Sequence, residues 1–285
     1  MAVHKRSYRG YAGQLTPLWS RCLIVTRYAF KNVFQWKLLT SFFSACFIFP
    51  LTCAVGIYVN HNLRLVATLG VRAFFDVDAG FFFHFLRVQG SLAFILTALV
   101  GPGLVSPDLA NNALPLYFCR PLSRAAYVVG KMLVLVSLLS LITWVPALLL
   151  FLLQSTLAGA SWMWANLWLA PNIFLGSAIE ILVFSMLALA LSAWIKRKLA
   201  AGAALLAVFF FGAGFGEAAN AVMGTHKGDF LNLGGLIHAV QAQLFRQPWR
   251  SAISGGSAWM TLLAVSGFCL WLLARKVRAY EVVRG

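Results

Sequence analysis

Residues able to do acid–base or ligand chemistry are few: seven Asp and Glu, five His and five Cys in 285 residues. Glu180 is the one acidic side chain deep inside an apolar run, and no cationic residue lies well inside any such run. A carboxyl so placed can mark a substrate path or a helix interface. It can equally be held by a hydroxyl or backbone carbonyl of a neighbouring helix. Ser177 and Ser185 share its run, and Thr97 and Thr143 lie on others. His61, His84, His226 and His238 fall on the outer side with no i, i+4 spacing of the kind that holds zinc, so they read as isolated surface histidines. Cys22, Cys46, Cys53, Cys119 and Cys269 show no CxxC or CxxH spacing and read as small hydrophobes. HExxH, GxSxG, P-loop and repeated-aspartate motifs are absent from the sequence. The chain is therefore expected to have no catalytic site, no metal site and no nucleotide site of its own.

The elements that position these residues follow from composition. Hydrophobic residues make up 61% and charged residues 11%, against roughly 25% charged in a soluble domain. A chain of this length cannot hide so much apolar surface in one soluble core. Six runs meet or approach the roughly 20 apolar residues of a spanning helix: 38–59, 83–105, 132–153, 172–194, 199–216 and 258–274. The expected fold is an all-α, polytopic membrane protein with six transmembrane helices in a single transmembrane domain, 1–285. The first run starts behind a basic, aromatic segment, too deep for a cleavable signal peptide.

The net charge of +16 is distributed rather than clustered. With the N-terminus inside, 17 of the 23 Lys and Arg fall in inner segments, and only Arg64, Arg72, Arg87, Lys227, Arg246 and Arg250 lie outside. That bias is the positive-inside pattern. It puts both termini in the cytoplasm and accounts for the charge without nucleic acid; the chain is expected in the lipid bilayer of the cell's inner (plasma) membrane. Residues 16–37 project Ser20, Arg21, Arg27, Lys31, Asn32 and Gln35 on one arc and Trp19, Cys22, Leu23, Ala29, Phe30, Val33 and Phe34 on the other, with Ile24 and Tyr28 breaking the pattern, as in an interfacial helix with basic groups toward anionic headgroups. Thr16 is its expected cap and Pro17 its first residue. On the outer side, 217–257 carries "AANAVMG" and "GGLIHAVQAQLF", two short patterns suited to re-entrant or surface helices, and Trp162, Trp164 and Trp168 in the loop 154–171 are interface anchors by type.

The inner loop 106–131, "SPDLANNALPLYFCRPLSRAAYVVGK", is too polar to span and too apolar for an ordinary loop. Ser106 can cap a helix, Pro107 can start it and Asp108 complements its positive end. A helix over 107–118 would expose Leu109, Leu114, Leu116, Tyr117 and Phe118, a partner-binding signal. Pro121 and Leu122 then start a helix running into the third span, with Arg124, Tyr127 and Lys131 spaced along its mouth.

This segment resembles the loop after the second span in type-2 ABC exporter permeases. The resemblance rests on Asp108, Ala113-Leu114, Arg120-Pro121-Leu122-Ser123-Arg124, Tyr127 and Gly130-Lys131, and on the layout of an interfacial helix, six spans and a larger outer segment. Where the family often has Glu-Gly-Thr before the leucine, this chain has Asn111-Asn112-Ala113. The resemblance implies a cytoplasmic coupling helix that docks on a separate ABC ATPase subunit, which binds ATP and Mg. It also implies a second permease chain, as a homo- or heterodimer. Asp108, Leu114, Tyr117, Phe118, Arg120, Pro121, Arg124, Tyr127 and Lys131 would then be the coupling residues, and Glu180 a point in the substrate path. The alternatives are an ABC-type membrane complex with a regulatory or assembly role and no solute transport, and a lipid-modifying membrane enzyme.

Overall fold

A computed structural model of the chain describes residues 17–65, 76–114, 123–224, 226–249 and 253–276. Among the described residues the secondary structure is helical, with no strand, and six helices are long and apolar enough to cross a membrane. The chain is an all-α integral membrane protein, as the six apolar runs require.

The first span, Lys37–Asn62, is built from α2 (Lys37–Ala45) and α3 (Ile48–Leu65). The second, Ala79–Ala110, joins α4 (Ala79–Val100) to α5 (Pro102–Ala110). The third, Arg124–Ala158, joins α6 (Arg124–Ile142) to α7 (Trp144–Ala158). A short helix α8 (Ala160–Asn166) follows, and α9 (Leu169–Trp194) and α10 (Lys198–Met223) form the fourth and fifth spans. A 3₁₀ turn (Lys227–Leu231), α11 (Leu233–Leu244) and the sixth span α12 (Gly255–Lys276) complete the fold. Before all of these comes α1 (Leu18–Phe34).

The three composite spans break where a proline removes a backbone donor. Pro50, Pro102 and Pro146 each lie at or just beyond the junction within their span, and a proline has no N–H for the carbonyl four residues earlier. The carbonyls so affected are those of Cys46, Ala98 and Ile142.

The fourth span is the hub. Helix α9 has no continuous polar face and is buried over most of its length, and α4, α5, α6, α7, α10, α11 and α12 all pack on it. A helix without a polar face belongs inside a bundle. The first and fifth spans are peripheral, presenting Leu51, Val55 and Tyr58 on α3 and Phe210, Phe211 and Phe215 on α10.

One end of the bundle carries α1, the residues around the 106–131 segment, Lys196 to Lys198, and Arg275 with Lys276. Helix α1 lies along α6, where Thr26 Oγ1 donates to Gly130 O at 2.9 Å and Ala29 is buried. Arg27 and Lys31 are exposed, as the amphipathic pattern predicts, but so are Leu23, Ile24 and Tyr28. Pro17 stands at the cap position with extended backbone (φ −60°, ψ 150°) rather than as the first helical residue. Thr16 lies outside the described residues.

The opposite end is closed by α8, the 3₁₀ turn and α11. The expected re-entrant pair resolves into one. "AANAVMG" continues α10 without a break to Met223, whereas "GGLIHAVQAQLF" forms α11, whose Leu236, Ile237, Val240 and Gln241 are buried. The 3₁₀ turn folds back onto α10 at Gly216 and Gly228, where a Cβ on either glycine would overlap the other's carbonyl oxygen. Asn220 clamps the turn, donating to Asp229 Oδ1 at 2.6 Å and accepting from Gly228 N at 2.7 Å.

Candidate functional site

Two polar clusters stand out. The first closes the base of the loop between the second and third spans. Asp108 is in the last turn of α5, and its Oδ2 accepts from Lys131 Nζ at 2.8 Å and from Tyr127 Oη at 2.6 Å. Tyr127 is fully buried, and the Lys131 and Asp108 side chains keep 9% and 17% exposure. A carboxylate at a helix C-terminus opposes the macrodipole, so the ammonium and the phenol are what stabilise it there. The contact joins the last turn of one span to the first turns of the next, and so fastens the base of the intervening segment, the strap.

The helix start expected at Ser106 and Pro107 is not there. The chain is already helical from Pro102, which occupies the first turn of α5, and the helix runs to Ala110. Asp108 therefore sits at the negative end of a helix, not the positive end. Ser106 is fully buried, and its Oγ donates into the carbonyls of Ser192 (2.8 Å) and Ile195 (2.7 Å). Ser192 Oγ in turn accepts from Val105 N (3.2 Å) and Ser106 N (2.8 Å) and donates to Pro102 O (3.0 Å). A side chain of α9 is thus bonded into the backbone of α5, tying the fourth span to the base of the strap. With its groups used this way, Ser106 cannot cap a new helix.

Leu114, expected to be exposed for a partner, is only 5% exposed and packs with Tyr127, Leu109 and Val128. The turn at Asn111-Asn112, with Asn112 at φ 50°, folds the chain back onto α6. Asn tolerates that conformation better than most residues. Arg124 is exposed, and Ser123 caps α6 by accepting from Ala126 N at 3.1 Å. Tyr117, Phe118, Arg120 and Pro121 lie outside the described residues.

The second cluster is in the middle of the bundle. Gln89 is fully buried, and its Nε2 donates to Cys46 O at 3.2 Å and to Ile142 O at 2.7 Å. These are the carbonyls that Pro50 and Pro146 leave without an N–H. One side-chain amide therefore satisfies the breaks of two other spans. Its own oxygen, Oε1, is buried with no partner among the described residues.

Next to it, the Glu180 carboxyl lies against Gly90 so closely that a Cβ there would overlap Oε1. Gln241 Nε2 donates to Glu180 Oε2 at 3.2 Å and approaches Gly176 O at 3.4 Å. The partner of Glu180 is thus an amide on α11. The hydroxyls expected for that role are elsewhere: Thr97 and Thr143 donate to their own helices at Ala93 O and Leu139 O, and the Ser177 and Ser185 hydroxyls are buried with no partner among the described residues. Gln241 was findable in the sequence. It continues the spacing Leu233, Leu236, Ile237, Val240 of the buried face, so an amide there must meet something polar inside.

No protein-family model matches this chain, and no curated protein matches it in sequence.

Proposed function

We propose that this chain is the membrane subunit of an ATP-driven exporter of the type-2 ABC kind, working with a separate ATPase subunit that binds ATP and Mg, and with a second permease chain. The observation that carries the reading is the fastened base of the strap. The Asp108–Lys131–Tyr127 contact and the Ser106–Ser192 bonds make the loop between the second and third spans a part whose displacement must be shared by the second, third and fourth spans. Coupling through rigid, packed elements is how a soluble motor would move a helix bundle. The R-P-L-S-R sequence runs from that segment into the start of α6, and α1 packs on the same helix. On this reading the strap's end of the bundle is cytoplasmic, in agreement with the basic residues gathered there, and the membrane is the cell's inner membrane.

The test is co-purification from native membranes with a P-loop ATPase that has no spans of its own, followed by ATP hydrolysis and transport in liposomes. Hydrolysis should be faster with the chain than with the ATPase alone. Phe118→Asp should abolish the stimulation while the chain still inserts. Stimulated hydrolysis without solute movement would select the regulatory or assembly role instead. Failure of any such ATPase to co-purify would overturn the reading.

A further inference from the structure

Arg87 stands apart from every other feature at the α11 end. It lies on α4 about 12 Å from the helix start at Ala79, inside a segment apolar enough to span. Among the described residues it has no carboxylate partner, and no oxygen accepts from its guanidinium. Its Cζ is 5.7 Å from the ring centroids of both Phe83 and Trp249. Phe83 is one turn nearer the end of the span, so the side chain leans toward the headgroup level, as helical side chains do.

Two aromatic rings offset part of the charge through cation–π attraction, yet they supply no acceptor to five N–H donors. His238 of α11 shares the same indole, its ring centroid 5.8 Å from that of Trp249. Burial, with the Arg87 charge adding to it, holds His238 well below its ordinary 6.5, at about 4. An anion seated between the two would pair with the guanidinium and favour the protonated imidazole.

We propose that Arg87 anchors a binding site for the phosphate of an anionic amphiphile at the α11 end of the bundle, with Phe83 and Trp249 as apolar walls and His238 as a second donor. Arginine's planar fork suits a phosphate, which it can engage bidentately. The rings suit the adjoining glycerol and acyl region of a lipid. The site is independent of the exporter reading, since it needs neither the strap nor an ATPase.

The full chain in nanodiscs supplies the test. In phosphatidylcholine discs doped with phosphatidylglycerol, the ¹⁵N signals of His238 should titrate at higher pH than in phosphatidylcholine alone. Native mass spectrometry should find phosphatidylglycerol retained in preference to phosphatidylcholine, with retention falling about tenfold in Arg87→Gln and partly restored in Arg87→Lys. Inorganic phosphate that shifts His238 as strongly as the lipid would assign the site to the free anion and overturn the amphiphile. An unchanged His238 titration in the wild-type chain overturns the proposal without any variant, as does full lipid retention by a monodisperse Arg87→Gln.

Discussion

Gln89 carries two amide protons, and two prolines in other spans have each left one carbonyl without a donor. The pairing predicts an unusual mutational pattern. Gln89→Leu leaves Cys46 O and Ile142 O buried and unsatisfied, costing about 2–3 kcal/mol, read as a lowered thermal midpoint in detergent. Pro50→Ala with Pro146→Ala restores a backbone N–H to each carbonyl. The two replacements should therefore recover part of the loss in the Gln89→Leu background and gain much less in the wild type. Coupling below about 0.5 kcal/mol in that cycle would contradict the assignment. Gly90 makes a second residue-scale case. Gly90→Ala forces a methyl into Glu180 Oε1 and should cost about 1–3 kcal/mol through overpacking. Glu180→Ala should relieve it, whereas Glu180→Gln, which keeps the volume, should not. Thermal unfolding of the four proteins decides this.

At the scale of elements, the strap is the part whose behaviour the geometry specifies best. Lys131→Met leaves the Asp108 carboxylate largely buried without its cation, and should cost about 3 kcal/mol. The loss should be concentrated where α5 and α6 meet: hydrogen exchange should rise in residues 102–114 and 123–134 while α9 and α12 stay protected. Uniform destabilisation would mean that the ion pair does not hold this junction in particular. Helical spacing in the sequence groups Arg124, Tyr127 and Lys131, and only the resemblance adds Asp108 to them; that Asp108 bonds Tyr127 and Lys131 is decided by the fold. The sequence misplaced the helix start, because Ser-Pro-Asp is a good N-terminal signal only where the chain before it is not already helical. Pro102, five residues earlier, had started the helix. The role of Ser192 was not legible at all. A serine in an apolar span gives no sign of which neighbouring backbone it will reach.

The whole molecule is bounded by aromatic and basic residues at both ends. Lys198 lies 4.6 Å from the Trp36 ring and Lys276 5.1 Å from Trp194 at the strap end, and Arg246 lies 4.8 Å from Trp168 at the other. Such pairs fit the levels where a bilayer meets water. The orientation that the basic residues predict is checked by single cysteines in a cysteine-free chain: Lys196→Cys should react with an impermeant maleimide only after the cells are opened, and His226→Cys should react in intact cells. The opposite result would invert the topology. The sequence by itself determined the class, the number of spans and the helix before the first of them, because each depends on the amount and period of apolar residues along one stretch of chain. It also placed one carboxyl in the membrane. The tertiary structure decided what that carboxyl meets, which carbonyls Gln89 satisfies, and that Leu114 is turned inward onto Tyr127. Hydropathy carries no information about which polar groups will face one another across a bundle. That depends on the rotation and crossing of helices far apart in the chain, set by close contacts such as those at Gly90 and between Gly216 and Gly228.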